Sequence, residues 1–317
     1  MAMELIGVAG MTPELKQTYE RRLLERALPV FLHNRWGEKR PVPRGGGKSI
    51  EFRRFERITT STTALTEGTP PSETQGTFST VAVTVSQYGQ FSRLSDVLQM
   101  QAFDPIIAEY TDNYGEAMGD ALDQVTRDVL VAGTTVQYAS TATSRATVGS
   151  GMYLNDTEVR KAVKTLDRNN AKPVEDGRYV MILHPDTQYD FFADSTVRNV
   201  FLYAHERGQS NPLFSGILGD YYKCRTYSTT NAKIFSSAGL SGADVYATMV
   251  FGKGYYGISE FGAESASVIA KAKGSAGTSD PLNQVSTVGW KASHGAVRLN
   301  ENYAVRVEHV TSQKNAA

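Results

Sequence analysis

Gly45-Gly46-Gly47-Lys48-Ser49 is the stretch that most resembles a phosphate cradle. A phosphate loop reads G-x-x-x-x-G-K-[ST], and its first glycine falls on Val42 here. It also needs a strand before it and a helix after it, so that helix N–H groups meet the phosphate. Pro41 and Pro43 break any preceding strand, and Ile50-Glu51-Phe52 continues with strand alternation. The stretch reads as a flexible hinge. His33, His184, His205, His294 and His309 are scattered, without an H-x-x-x-H or a carboxylate at ligand spacing, so no metal site is expected. His184-Pro185-Asp186 follows an apolar run and reads as the cap that ends a strand. Cys224 lies next to Lys223, but no motif makes it a nucleophile, and a small buried thiol is the plainer reading. There is no G-x-S-x-G. No catalytic residue and no cofactor is expected.

Basic residues cluster at Arg35, Lys39, Arg40, Arg44, Lys48, Arg53, Arg54 and Arg57. Such a run either faces nucleic-acid phosphates or pairs with carboxylates of neighbouring protein copies. Aromatic interleaving for base stacking is thin, and Lys plus Arg equals Asp plus Glu at 33 each. The second reading is favoured. Zero formal charge also leaves little net repulsion against self-association. The single cysteine excludes an intramolecular disulfide framework. No apolar run approaches the roughly 20 residues of a membrane helix, and the N-terminus lacks the pattern of a signal peptide. The 317 residues suffice for one large or two ordinary domains.

The element that must organise these residues is Asp104–Gly133. Asp104 is a good N-cap, Pro105 suits the first helical position, and Gly133 suits a left-handed C-terminal cap. Ile106, Tyr110, Tyr114, Met118, Leu122, Val125 and Val129 form one apolar stripe, with Asp112, Glu116, Asp120, Asp123 and Arg127 away from it. The rod would be about 42 Å long. Gly115 and Gly119 read as points of close backbone approach.

Before it, Thr12-Pro13-Glu14 opens a helix that Pro29 closes, and residues 35–48 read as an extended arm. Residues 49–94 alternate with strand period at both ends, around a Thr/Ser/Gly/Pro middle containing Pro70-Pro71. This predicts a long hairpin with a projecting polar tip. Isolated two-stranded ribbons are marginal, so the ribbon must lie on something, plausibly a neighbouring copy. After the long helix, residues 134–151 read as a loop. Asn155 and Glu158 have capping-box spacing before a second amphipathic helix. Residues 178–184 read as a buried strand, with further strands at 221–228, 245–259 and 267–271. The region 152–275 reads as a mixed α/β module inserted into a first domain. Strands at 285–290 and 303–309 would close back on the sheet beside the long helix.

This order of parts, with Gly46-Gly47-Lys48-Ser49-Ile50-Glu51-Phe52-Arg53-Arg54-Phe55, Leu65-Thr66-Glu67-Gly68, Gln87-Tyr88-Gly89-Gln90, Leu94-Ser95-Asp96-Val97-Leu98, Asp280-Pro281-Leu282-Asn283-Gln284 and Val288-Gly289-Trp290-Lys291-Ala292, resembles tailed-bacteriophage major capsid proteins of the Hong Kong 97 type, in a podophage-type branch. The resemblance runs from about Leu15 to Val310. It implies an α+β fold divided into an N-terminal arm (1–48), an extended β-hairpin loop (49–94), a peripheral domain (95–151 with 276–317) holding a spine helix at 104–132, and an axial domain (152–275). It implies pentamers and hexamers tiling an icosahedral head around double-stranded DNA, held without sequence-specific contact. A portal protein at one vertex, separate scaffold and decoration proteins, and a place in the virion capsid follow from the same resemblance. Any scaffold would be a separate or removed protein, because no long segment precedes the arm. No matched Lys/Asn pair supports a covalent cross-link. Arg40, Arg44, Arg53, Arg54, Glu67 and Trp290 are the expected inter-subunit contacts. An encapsulin-like compartment shell, with the same fold around protein cargo, is the alternative.

Overall fold

The computed structural model describes residues 32–43, 45–56, 58, 60–65, 67–96, 106–203, 219–261, 266–271, 273–275 and 281–313. The predicted first helix, the Asp104-Pro105 cap, Arg44, Arg57 and His205 lie outside them. In chain order the strands before the long helix are β1 (Glu38–Lys39), β2 (Ser49–Phe55), β3 (Phe78–Thr84) and β4 (Ser86–Ser95). The long helix α1 is Ile106–Val131, followed by β5 (Val136–Tyr138), α2 (Asp156–Arg168), β6 (Tyr179–Leu183), α3 (Pro185–Ala193) and α4 (Ser195–Tyr203). Then come β7 (Asp220–Tyr221), β8 (Cys224–Ser228), β9 (Ile234–Phe235), β10 (Val245–Phe251), β11 (Tyr256–Ser259), β12 (Ala266–Lys271), β13 (Val285–Arg298) and β14 (Ala304–His309). The fold is α+β.

The first sheet is built on β13. Strands β4 and β12 pair antiparallel with its first half, β11 pairs with its last four residues, and β1 adds to β11 in parallel. Period-two alternation turns Val288, Trp290 and Ala292 toward α1, where Tyr114, Met118 and Leu122 meet them with Leu94 and Val268. The helical stripe expected from the spacing is therefore the face that buries. Gly115 and Gly119 are buried too. The polar side departs from expectation, because Asp123 is fully buried and Asp112 nearly so.

The second sheet runs β5-β14-β10-β6-β8-β7, with β9 on β10. Strand β6 is buried on both faces, as its unbroken apolar run requires. One face packs on α2 through Val159, Val163 and Leu166; the other meets Leu130 and Val131 at the end of α1. Five strand placements differ from the sequence reading. Strand β4, read as the second arm of the 49–94 hairpin, pairs with β13, as do β11 and β12 from the 152–275 region; β5 falls in the stretch read as a loop, and strand 304–309 lies between β5 and β10 in the second sheet, not beside the long helix. Both ends of the chain's middle region thus cross between the two sheets, which alternation alone does not disclose.

Asn155 caps α2 by accepting the Glu158 amide at 3.0 Å. The return half of a capping box is absent. The Glu158 carboxylate instead takes Gln137 Nε2 (2.7 Å), Lys161 Nζ (2.9 Å) and the Ser140 amide. Gly133 closes α1 without a left-handed φ. Its role is close approach, since a Cβ there would stand 2.9 Å from the Tyr255 hydroxyl and 3.1 Å from Glu301 Oε2.

Candidate assembly surfaces

Residues 32–43 cross the body as a strap, held by a series of polar contacts. His33 meets Asp123 twice, through its amide to Oδ1 and its ring Nδ1 to Oδ2, each at 2.6 Å. Tyr256 donates its hydroxyl to the His33 carbonyl, and Thr126 of α1 donates to Asn34. Trp36 donates Nε1 to Glu175 at 2.6 Å while its ring lies 4.7 Å from Tyr227. Burial works to raise the Glu175 carboxyl, but hydrogen bonds from Trp36, Tyr227 and Arg225 outweigh it and hold its pKa below the ordinary value. The strap therefore fastens α1 of the first body to the second. Polar residues at 33 and 123 carry no sequence signal for this, because the partners are ninety positions apart.

The ribbon of β2 and β3 pairs in full register from Ser49↔Thr84 to Phe55↔Phe78. Gly45 and Gly47 both take φ of 82° before it, a conformation glycine adopts without strain, and a strand rather than a helix follows. The strand that follows leaves no helix N-terminus for a phosphate loop. The ribbon's base lies on its own chain: Phe52 and Val83 are buried, and the Phe52 ring fills the space over Gly257, where a Cβ would stand 2.7 Å away. Arg40 stacks over Phe52 and donates to the Glu51 carbonyl at 2.7 Å. The outer part is different. Described residues from 55 to 78 are all exposed, Phe55 at 79% and Leu65 at 75%. The expectation that the whole ribbon needs a neighbour narrows to this outer part.

The expected contact residues fall into three groups. Arg40 and Arg54 are partly used within the chain, Arg54 donating to the Leu299 carbonyl and to Glu56, each at 3.2 Å. Arg53 and Glu67 are exposed. Trp290 is corrected: it is 5% exposed and sits in the core against α1, so its large apolar ring serves the subunit's own interior. A cleft of about 490 Å³ separates the ribbon from the body, with Arg53, Phe55, Asn169 and Asn302 among its walls.

Among the described residues, several groups that could do chemistry take structural roles. His184 caps α3, its ring accepting the Asp186 amide at 3.2 Å, and Asp186 accepts from Tyr246 at 2.9 Å. His309 donates Nδ1–H to the Val310 carbonyl at 3.1 Å, so its Nε2 accepts from Thr248 at 2.9 Å. Burial pushes the pKa of both His294 and His309 down to about 4. Burial likewise pushes the Cys224 thiol up to about 12, the opposite of an activated nucleophile. Glu308, fully buried, accepts two hydrogen bonds from Arg145 (2.9 and 2.7 Å) and one from Arg306 (2.7 Å). Among the described residues no His/Cys/Asp/Glu group could hold a metal ion, and no helix is long and apolar enough to cross a membrane.

The family model described as phage capsid protein matches residues 78–307, and the chain belongs to that family. No curated protein sequence gives a significant match. Among solved structures, the capsid of Ralstonia phage GP4 superposes with a TM-score of 0.72 at 15% identity, covering 90% of each chain. The cyanophage Pam1 capsid gives 0.72 at 13% identity, over 99% of this chain and 97% of that one. The acid-stable capsid of Helicobacter pylori bacteriophage KHP30 gives 0.67 at 12% identity, over 98% and 95%. The fold and the family agree with the tailed-phage capsid class, whose place is the virion.

Proposed function

We propose that this chain is the major shell subunit of a phage head, with copies joined as pentamers and hexamers in an icosahedral lattice around double-stranded DNA. The observation that carries this reading is the ribbon: its base is seated on its own body, while every described residue of its outer part is exposed, Phe55, Ile58, Leu65 and Phe78 among them. Large exposed apolar side chains gathered on a projection mark contact with another protein. A neighbour beneath the ribbon, repeated around a ring, gives heterologous contacts that close rather than extend. Each contact contributes modestly, and several partners multiply them.

In this reading Arg40, Arg44, Arg53, Arg54 and Glu67 reach neighbouring copies, and Trp290 does not. The chain is read as an arm (1–48), a loop (49–94), a peripheral domain (95–151 with 276–317) and an axial domain (152–275), with β4, β11 and β12 grouped with the first sheet and β5 and β14 with the second, following their pairing. A portal, a separate scaffold and decoration proteins remain part of the same proposal. The encapsulin-like alternative is less favoured, because the family that matches is a phage capsid family. Electron microscopy of the purified chain at raised concentration tests the reading. Closed particles are expected; a folded chain that stays monomeric would overturn it.

A further inference from the structure

Strand β4 is an edge of the first sheet: β13 pairs with one side of it, and among the described residues no strand pairs with the other. It is ten residues long, about 34 Å at 3.4 Å per residue. Its register against β13 runs one to one from Ser86↔His294 to Ser95↔Val285, so no bulge bends it away. It holds no proline, and Arg93 is its one charge. Bulges, prolines and charges are what keep an exposed edge from pairing, and β4 carries a single one of them. Gln87, Gly89, Gln90, Phe91 and Arg93 are all exposed, Phe91 at 62%.

We infer that β4 pairs antiparallel with β4 of a second copy of the chain, across a two-fold axis at Gln90. The order of its residues is complementary to itself about that point. Gln90 faces Gln90, Phe91 of each copy faces Gly89 of the other, Ser92 faces Tyr88, and Arg93 faces Gln87. Gly89 admits no side chain of its own, since a Cβ there would stand 2.8 Å from the Trp290 carbonyl oxygen. The sheet is bare at that position, and an aromatic ring from the facing strand covers it, a pairing that pins register at glycines on edges. Arg93 meets an amide, so no like charges stand opposite. Centring the pair on Gly89 would set two bare glycines face to face, centring it on Phe91 would put Arg93 over Gly89, and centring it on Arg93 would oppose two cations. The inference rests on the self-assembly proposed above. Contacts within a ring of subunits are heterologous, whereas a two-fold contact is isologous, so this edge joins one ring to the next. The axis stands normal to the sheet, which leaves both α1 helices on one side of it and sends the two ribbons opposite ways.

Single cysteines test this in the full chain, with Cys224 buried and out of the reaction. Residues directly opposite in an antiparallel pair stand about 4.5 to 5.5 Å apart at Cα, within reach of a disulfide. Q90C, assembled under reductant and then oxidised, should give a covalent dimer and nothing larger. Q87C should give none, because its two copies would lie about 20 Å apart along the ladder, while Q87C/R93C should give the dimer again. Q90C particles without the covalent dimer, or equal cross-linking from Q87C, overturn the pairing and leave the shell reading intact. An unmodified chain that forms no particles brings down both. Charge gives a second measurement. Q87R sets cations opposite each other across the ladder and should lower particle yield roughly tenfold or more, with native circular dichroism retained, since the effect compounds over many contacts. Adding R93E should restore the yield; undiminished yield from Q87R, or no recovery with R93E, overturns the pairing as well.

Discussion

His33 and Asp123 stand ninety residues apart and are joined by two contacts of 2.6 Å, in a place from which solvent is wholly excluded. Removing one member strands the other in the interior, the case in which a buried pair costs most. D123A is expected to lower unfolding free energy by about 3 to 5 kcal/mol. Urea denaturation of the dissociated subunit checks it, and a change under about 1 kcal/mol would contradict a strap held at this point.

Gly257 accepts the Phe52 ring where a Cβ would sit 2.7 Å away. G257A should therefore lift the ribbon from its seat at a cost of about 1 to 3 kcal/mol, the usual range for overpacking. The readout is hydrogen exchange: amides of β2 and β3 should exchange faster, while those of β6 and β10 stay protected. Unchanged ribbon protection would show that the seat contributes nothing.

Both His294 and His309 are held neutral, with pKa values lowered to about 4. The unfolded chain binds protons on these rings at its ordinary value of 6.5, so between those limits it carries more protons than the folded chain. Stability therefore falls as pH drops from about 6.5 toward 4 and is flat above. Unfolding midpoints measured across that window should show this slope, and H309N should reduce it.

The Cys224 thiol is fully buried with its pKa pushed up to about 12. A thiol reagent such as Ellman's should leave it unmodified in the native chain and label it at the rate of opening of the second sheet. Rapid labelling at neutral pH would mean that β8 is not where the ladder with β6 puts it.

Shortening the ribbon by replacing residues 58–76 with Asn-Gly should leave thermal stability nearly unchanged, because the described residues of the excised part are all exposed. Particle formation should be lost. Retained particles would show that assembly does not use the ribbon.

What the sequence disclosed was what local periodicity encodes. The stripe from Tyr114 to Leu122, the Asn155 cap, the arms of the ribbon and the strand ended by His184 are all set by neighbours a few positions away. That Phe91 and Ile269 flank Gly289 shows only in the ladder register, because the three lie on strands far apart in sequence. Asp123 looked like a solvent-facing helix residue because its partner arrives from a distant segment. Trp290 looked like an anchor for a neighbour because tryptophan favours interfaces; alternation along β13, counted against α1, turns it inward. The sheet that β14 joins was likewise hidden, since strands carry no mark of which ladder will take them.

Strand β14, the last of the described strands, is also interior to its sheet, flanked by β5 and β10. During translation that slot stays empty until residues 304–309 have been made. Until then Val305 and Val307 cannot fill the core, and the second body has a gap through its middle. A chain stopped short of residue 304 would therefore lack the strand that joins β5 to β10.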